Sequence, residues 1–199
     1  MTTIRPMQEA DLDAVRSVDA AAFTAWWRQL TGRQQRLPPR TRANVASLLE
    51  KDPKGCFVAE EDGQVLGLIF SRTWGSVGWP GPFAVLPEHQ GRGIGKLLLQ
   101  ASLRYLRQDP HRVVGLETMP DSSSNLGLYL KHGFRLSHPT LLLRRRLDRE
   151  PPGEADLARW SRADDATRRA WLRDLREVTN GIRPGLDYTK EITATDRHG

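Results

Sequence analysis

Apolar residues recur at helical steps in some stretches and at alternate positions in others, and the two periods divide the chain into elements. A short extended piece around Ile4 precedes a helix carrying Leu12, Val15 and Val18, and Trp26, Trp27 and Leu30 predict a second helical piece. After the proline break in "RLPPR", Val45, Leu48 and Leu49 mark another helix. "CFVAEEDGQVLGLIF" reads as a hairpin turning at Asp62-Gly63. "SVGWPGPFAVLP" is the next strand, and its prolines, Pro80 and Pro82, predict a bulge or a splayed edge. A glycine-rich stretch then leads into a helix reaching about Arg107. "HRVVGLETM" is a strand, "SSSNLGLYLKHG" a helix with Gly133 as its C-cap, and "TLLLRRRL" a last strand. The order predicts an α/β fold with a mixed sheet, antiparallel strands leading into a parallel central pair. "DREPPGEAD" is a linker, beyond which Trp171, Leu175 and Val178 mark one more helix.

Composition narrows the class. A chain of 199 residues suits one domain, or one domain plus a fragment. No apolar run approaches a membrane span, and the N-terminus lacks a signal-peptide layout. The single cysteine, Cys56, allows no internal disulfide, so a cytoplasmic setting is expected. The histidines show no ligand spacing, so no metal is expected. The net charge of +6 is carried mostly by arginine. Aromatic residues do not interleave with the basic clusters, which disfavours nucleic acid and favours a pocket for a polyanionic small molecule.

The stretch "LPEHQGRGIGKLLLQ" is the richest in chemistry. It fails the P-loop pattern: with Gly-Lys placed on Gly95-Lys96, Gln90 falls where the first glycine belongs and Leu97 where Ser or Thr belongs. It also fails the Rossmann fingerprint, whose last glycine falls on Lys96 or Leu98. What remains is Gln90-x-x-Gly93-x-Gly95 between a strand and a helix. Gly91, Gly93 and Gly95 let successive amides point into one concavity and wrap an anion, assisted by the helix dipole and by Arg92 and Lys96. Ile94, Leu97, Leu98, Ala101 and Tyr105 form the apolar face of the helix.

With Gln90, Gly93 and Gly95 in place after the strand "FAVLP", the stretch resembles the acetyl-CoA signature, Q/R-x-x-G-x-G/A, of the GNAT superfamily of N-acetyltransferases. Downstream, "NLGLYLKHGF" resembles that family's second motif through Asn125, Tyr129, Gly133 and Phe134. The resemblance covers residues 1–147. It implies the GNAT acyl-CoA N-acyltransferase fold: a central sheet splayed between strands 4 and 5, flanked by helices, followed here by a C-terminal helical extension.

The resemblance also implies roles. The amides of Gln90, Gly91, Arg92, Gly93, Ile94, Gly95 and Lys96 would hold the pyrophosphate of acetyl-CoA. The backbone of Phe83, Ala84 and Val85 would pair with the pantetheine arm across a gap facing residues 117–119, and Asn125 would bond it. Tyr129 would be the general acid for the leaving thiolate, and the Val85 amide would stabilise charge on the thioester oxygen. Glu117 is the candidate general base, weighed equally against a simple ion pair with an arginine. Trp26, Trp27, Trp74 and Trp79 are expected either to line the acceptor pocket or to pack in the core.

The expected activity is acetyl transfer from acetyl-CoA to a primary amine of a small molecule or peptide by direct attack. The competing expectation is a non-catalytic acyl-CoA-binding or sensing module whose C-terminal arm holds a partner. A homodimer is compatible with either. Residues 148–199 form an extension, and "EADLDAVRSVDAA" (residues 9–21) resembles "EADLARWSRADDA" (residues 154–166). A second, incomplete GNAT domain or an arm packed on its own domain are the alternatives.

Overall fold

A computed structural model describes residues 1–109, 112–137, 140 and 158–194. Among the described residues the sheet has five strands in the order β1-β2-β3-β4-β5. These are β1 (Thr3–Pro6), β2 (Phe57–Glu61), β3 (Gln64–Trp74), β4 (Val77–Val85) and β5 (Val113–Val114). The first three pairings are antiparallel, and β4 lies parallel to β5. The predicted hairpin turn is present, with Asp62 and Gly63 both at positive φ. The predicted last strand covers residues 140–147, which apart from Thr140 lie outside the described residues.

Helices cover both faces. α1 (Leu12–Thr31) and α2 (Arg42–Lys51) bury Leu12, Val15, Val18, Val45 and Leu48 against Val58, Leu68, Phe70 and Ala84 on one face. On the other, α3 (Ile94–Leu106) buries Ile94, Leu98, Leu99 and Leu103 against Leu66, Ile69 and Val85. Of the predicted stripe on α3, Ile94, Leu98 and Ala101 are buried, Tyr105 is half-buried and Leu97 is exposed, while Leu99, Leu103 and Leu106 join the buried face unpredicted. A shift in the β2–β3 register between Ala59 and Glu60 turns Leu66 toward α3 and leaves Val65 and Leu68 on the α1 side.

α1 is a single helix, where the sequence suggested two pieces. Nothing between Ala22 and Trp26 breaks it, and it stops only at Gly32, whose left-handed φ of 68° closes a bond from its amide to the Arg28 carbonyl. α4 (Ser123–Lys131) follows β5, and Gly133, at a φ of 85°, ends that helix region as expected. The tail forms α5 (Asp165–Ile182), the helix predicted from Trp171, Leu175 and Val178, and a short α6 (Thr189–Thr193).

β2 pairs with β3 only as far as Phe57↔Ile69, so the outer edge of β3 beyond Ile69 needs other partners. Asp52, at the end of α2, supplies them from a position only 4% exposed. Its carboxylate accepts from the Thr73 amide at 3.3 Å, the Thr73 hydroxyl at 2.7 Å and the Tyr105 hydroxyl at 3.2 Å, and it pairs with Lys190. Removing it would strand several donors inside the protein. Asp52→Ala is therefore expected to cost about 2–4 kcal/mol in urea unfolding, with Asp52→Asn falling between it and the wild type.

Candidate active site

The bulge predicted from the two prolines is present in β4. Ile69 faces Phe83 and Ser71 faces Pro80, so three steps along β4 answer two along β3. On its other side β4 pairs with β5 only at Val77↔Val113 and Gly78↔Val114. One further bond runs from the Gly115 amide to the Gly78 carbonyl at 3.0 Å. Beyond it the strands part, so residues 116–119 are not a strand, contrary to the sequence expectation.

The parted stretch of β4 contains Phe83, Ala84 and Val85. The Leu86 amide donates to the Leu66 carbonyl at 2.9 Å, which by antiparallel alternation directs the Ala84 backbone to Leu68 on β3. Phe83 and Val85 then aim their amides and carbonyls the opposite way, into the gap. Of the expected trio, Ala84 turns its backbone to the sheet while Phe83 and Val85 turn theirs toward the opening, although the side chains of Ala84 and Val85 are both buried.

The glycine loop lies at the end of this strand. Gln90 ties it down: its side-chain amide donates to the Val85 carbonyl at 3.0 Å. Gly91 and Gly93 have φ of 77° and 84°, where a Cβ would be strained, and no atom lies within 4 Å of a Cβ at either. Gly93 caps α3 without any side-chain acceptor, so the opening amides of the helix face an open concavity. Gly95 has another duty, since a Cβ there would sit 3.2 Å from the Phe83 ring. Ile94 is buried and anchors the first turn, whereas Lys96 is exposed beside it. Arg92 is not a free cation: it bonds His89 at 2.7 Å and Glu61 at 2.8 Å. Hydrogen bonds from Thr2 and Arg92 hold the Glu61 carboxyl below its usual range. The cradle is thus backbone amides and Lys96, with Arg92 acting as a brace. It suits a phosphate group on geometry alone.

Tyr129 lies on the same side. It packs with Phe83, Val114, Leu128 and Phe134 against the cluster containing Val85 and Ile94, with its ring edge-on to Phe134 at 5.9 Å. Burial pushes its phenol up to about 12, so it keeps its proton at neutral pH. Among the described residues its hydroxyl takes no hydrogen-bond partner. Asn125 is exposed in the first turn of α4. Glu117 is exposed and accepts from the Thr140 hydroxyl at 2.9 Å.

The four tryptophans form two pairs, Trp26–Trp27 at 6.2 Å and Trp74–Trp79 at 6.5 Å. The indole N–H groups of Trp26 and Trp27 are buried without a partner among the described residues. Cys56 is fully buried, and burial pushes its thiol up to about 12, the inert state of a structural cysteine. No group of metal-ligating side chains occurs among the described residues. Sequence reasoning missed the Arg92–Glu61 brace, whose partners are 31 residues apart, and the contacts made by the tail.

The family model described as "Acetyltransferase (GNAT) family" matches residues 19–134, more than half of the chain. The chain belongs to the GNAT acetyltransferase family. It is 34% identical over 137 residues to a mycothiol acetyltransferase of Tsukamurella paurometabola, covering 63% of this chain and 45% of that protein. The chain spans less than half the length of the curated relatives it matches. Among solved structures, a putative acetyltransferase from Pyrococcus horikoshii superimposes with a TM-score of 0.62 at 18% identity, over 100% of this chain and 62% of that one. The PaiA N-acetyltransferase of Thermoplasma acidophilum, solved with coenzyme A, gives a TM-score of 0.54 at 15% identity, over 70% and 93% of the two chains.

Gly93→Ala is expected to raise the Kd for coenzyme A by about tenfold or more, because its φ belongs to glycine and its Cβ enters the cradle. Gly127 provides the control: it is a helical glycine with open space around it, so Gly127→Ala leaves the Kd unchanged and is neutral or slightly stabilising. Isothermal titration and thermal melts read both.

Proposed function

We propose that this domain transfers an acetyl group from acetyl-CoA to a primary amine of a small molecule or peptide. The observation that carries the reading is the parting of β4 from β5 after Gly115, which leaves the backbone of Phe83 and Val85 facing a gap that ends at the glycine cradle. An extended pantetheine arm can add to β4 there as a strand would, with its pyrophosphate on the amides from Gly91 to Lys96. Family membership and the coenzyme A complex of the Thermoplasma protein support that placement. Residues 1–147 are read as the transferase domain and residues 148–199 as an extension, of which the described part contacts the domain through Gly185, Leu186, Tyr188, Lys190 and Glu191. Among the described residues no helix is long and apolar enough to cross a membrane. With one buried, unreactive thiol, a cytoplasmic setting is proposed.

Each side chain then has a task. When bound, acetyl-CoA supplies an acetyl group activated as a thioester. The Val85 amide, aimed into the gap, is placed to donate to the thioester oxygen as charge builds there. Asn125, exposed in the first turn of α4, bonds the pantetheine. Tyr129, held protonated by its apolar surroundings, donates its hydroxyl proton to the departing sulfur. A phenol at about 12 stays a donor across the whole working range. Glu117, which is exposed, accepts the proton of the incoming ammonium directly or through water. Trp74 and Trp79 are read as a wall of the acceptor side, whereas the buried indole N–H groups of Trp26 and Trp27 lie out of a substrate's reach.

Tyr129→Phe removes the donor and leaves the cradle intact. Its kcat should fall about 10²- to 10⁴-fold. The Kd for coenzyme A should stay within about twofold, because ring packing persists. Because burial raises the Tyr129 pKa rather than lowering it, loss of its proton adds no alkaline limb below about pH 11 to the wild-type rate profile. Thiol release from acetyl-CoA, followed with a panel of amines, reads these outcomes. Coenzyme A binding with no turnover of any amine would sink the catalytic reading in favour of an acyl-CoA sensor.

A further inference from the structure

The tail makes a specific contact with the end of the sheet nearest the point where β4 and β5 part. The carbonyl of Gly185 accepts from the Ser76 amide at 2.8 Å, and Leu186 bridges Gly75 in the turn between β3 and β4. A Cβ on Gly75 would run into that Gly185 carbonyl oxygen. The Tyr188 ring lies 5.1 Å from the Trp74 ring. Glu191 accepts from the Trp74 indole at 2.9 Å and from Arg72 at 3.3 Å, and it pairs with Lys51. Lys190 reaches Asp52.

These are not scattered surface ion pairs, which contribute little. An indole N–H, a guanidinium and an ammonium converge on one carboxylate whose side chain is 25% exposed. Burial works to raise the Glu191 carboxyl, but its bonds from Lys51 and Trp74 and the charge of Arg72 outweigh it and hold the group below its usual range.

Trp74 is the hub of a line of contacts. Its ring lies 6.5 Å from that of Trp79. The Trp79 ring rests on Gly115, where a Cβ would come within 2.7 Å of it. Gly115 makes the last bond of the parallel pair, so the line runs unbroken from Glu191 and Tyr188 through Trp74 and Trp79 to the vertex of the gap.

We propose that Tyr188 and Glu191 are positioning residues for acyl transfer: by fixing Trp74 they hold Trp79 on Gly115, set where β4 and β5 part, and shape the acceptor side of the gap. The inference rests on the acetyl-transfer reading. It assigns the extension a part in catalysis without contact with either substrate. The glycine cradle proposed for the donor's pyrophosphate lies beyond the opposite end of β4.

The test uses the full chain labelled with 5-fluorotryptophan, its resonances assigned by Trp74→Phe and Trp79→Phe, with spermidine, cysteamine and an alanine-initiated peptide as acceptors. Glu191→Ala should move the fluorine resonance of Trp79 as well as that of Trp74. It should also lower kcat/KM for a turned-over amine about tenfold, mainly through KM for the amine, with the Kd for coenzyme A within about twofold of wild type. Glu191→Gln, which keeps an oxygen for the Trp74 indole, should restore most of the loss. An unmoved Trp79 resonance, or an unchanged kcat/KM, overturns the inference. So does an equal loss of coenzyme A binding and of folded protein, which would mark a merely structural role. A wild type that acetylates none of the amines sinks the acetyl-transfer reading instead, and the Trp79 resonance then decides the inference alone.

Discussion

The parallel pair of β4 and β5 is held for two residues and then released, and the rest of the site depends on that release. Parallel strands in a mixed sheet ordinarily stay paired because each unpaired amide inside a protein is costly. Here the run Trp79-Pro80-Gly81-Pro82 removes two donors from β4, and the bulge against β3 bends the strand where pairing ends. The freed amides of Phe83 and Val85 are the groups proposed to meet an extended ligand. Everything around the gap fixes its walls: Gln90 bonds Val85, Gly95 admits the Phe83 ring, and Tyr129 packs behind both.

Two charge networks brace the ends of this gap. At the donor end, Glu61 restrains Arg92, which leaves the cradle to backbone amides and Lys96. Amides fixed by backbone geometry need little reorganisation when an anion arrives, which is the advantage of such a cradle over flexible cations. At the other end, Asp52 and Glu191 draw the tail, α2 and β3 together. Asp52 satisfies an edge that β2 is too short to cover, so the tail docks where the sheet is least complete.

The sequence disclosed the parts of this molecule that are governed by local period and spacing. The hairpin at Asp62-Gly63, the bulge from Pro80 and Pro82, the helix after the glycines and the left-handed glycines themselves all follow from short-range rules. The single α1 was misread as two pieces because Trp26 and Trp27 broke the apolar spacing without breaking the helix. The strand through residues 117–119 was misread because its composition suits a strand, while the partner that would pair it bends away. Arg92 looked like a phosphate ligand because its restraint by Glu61 arises only when the β2–β3 hairpin folds beside the loop. The contacts of Glu191 join residues 117–140 positions away, and no local pattern carries them.

The central claim is that the gap beside Phe83 and Val85 receives the donor. Backbone amide shifts during titration with desulfo-coenzyme A test it directly. The account predicts the largest changes at the amides of Phe83, Val85, Gly91, Gly93 and Ile94, with Ala84 much less affected because its amide is bonded to β3. Shifts spread over the arginine-rich surface, with Phe83 and Val85 unmoved, would contradict it.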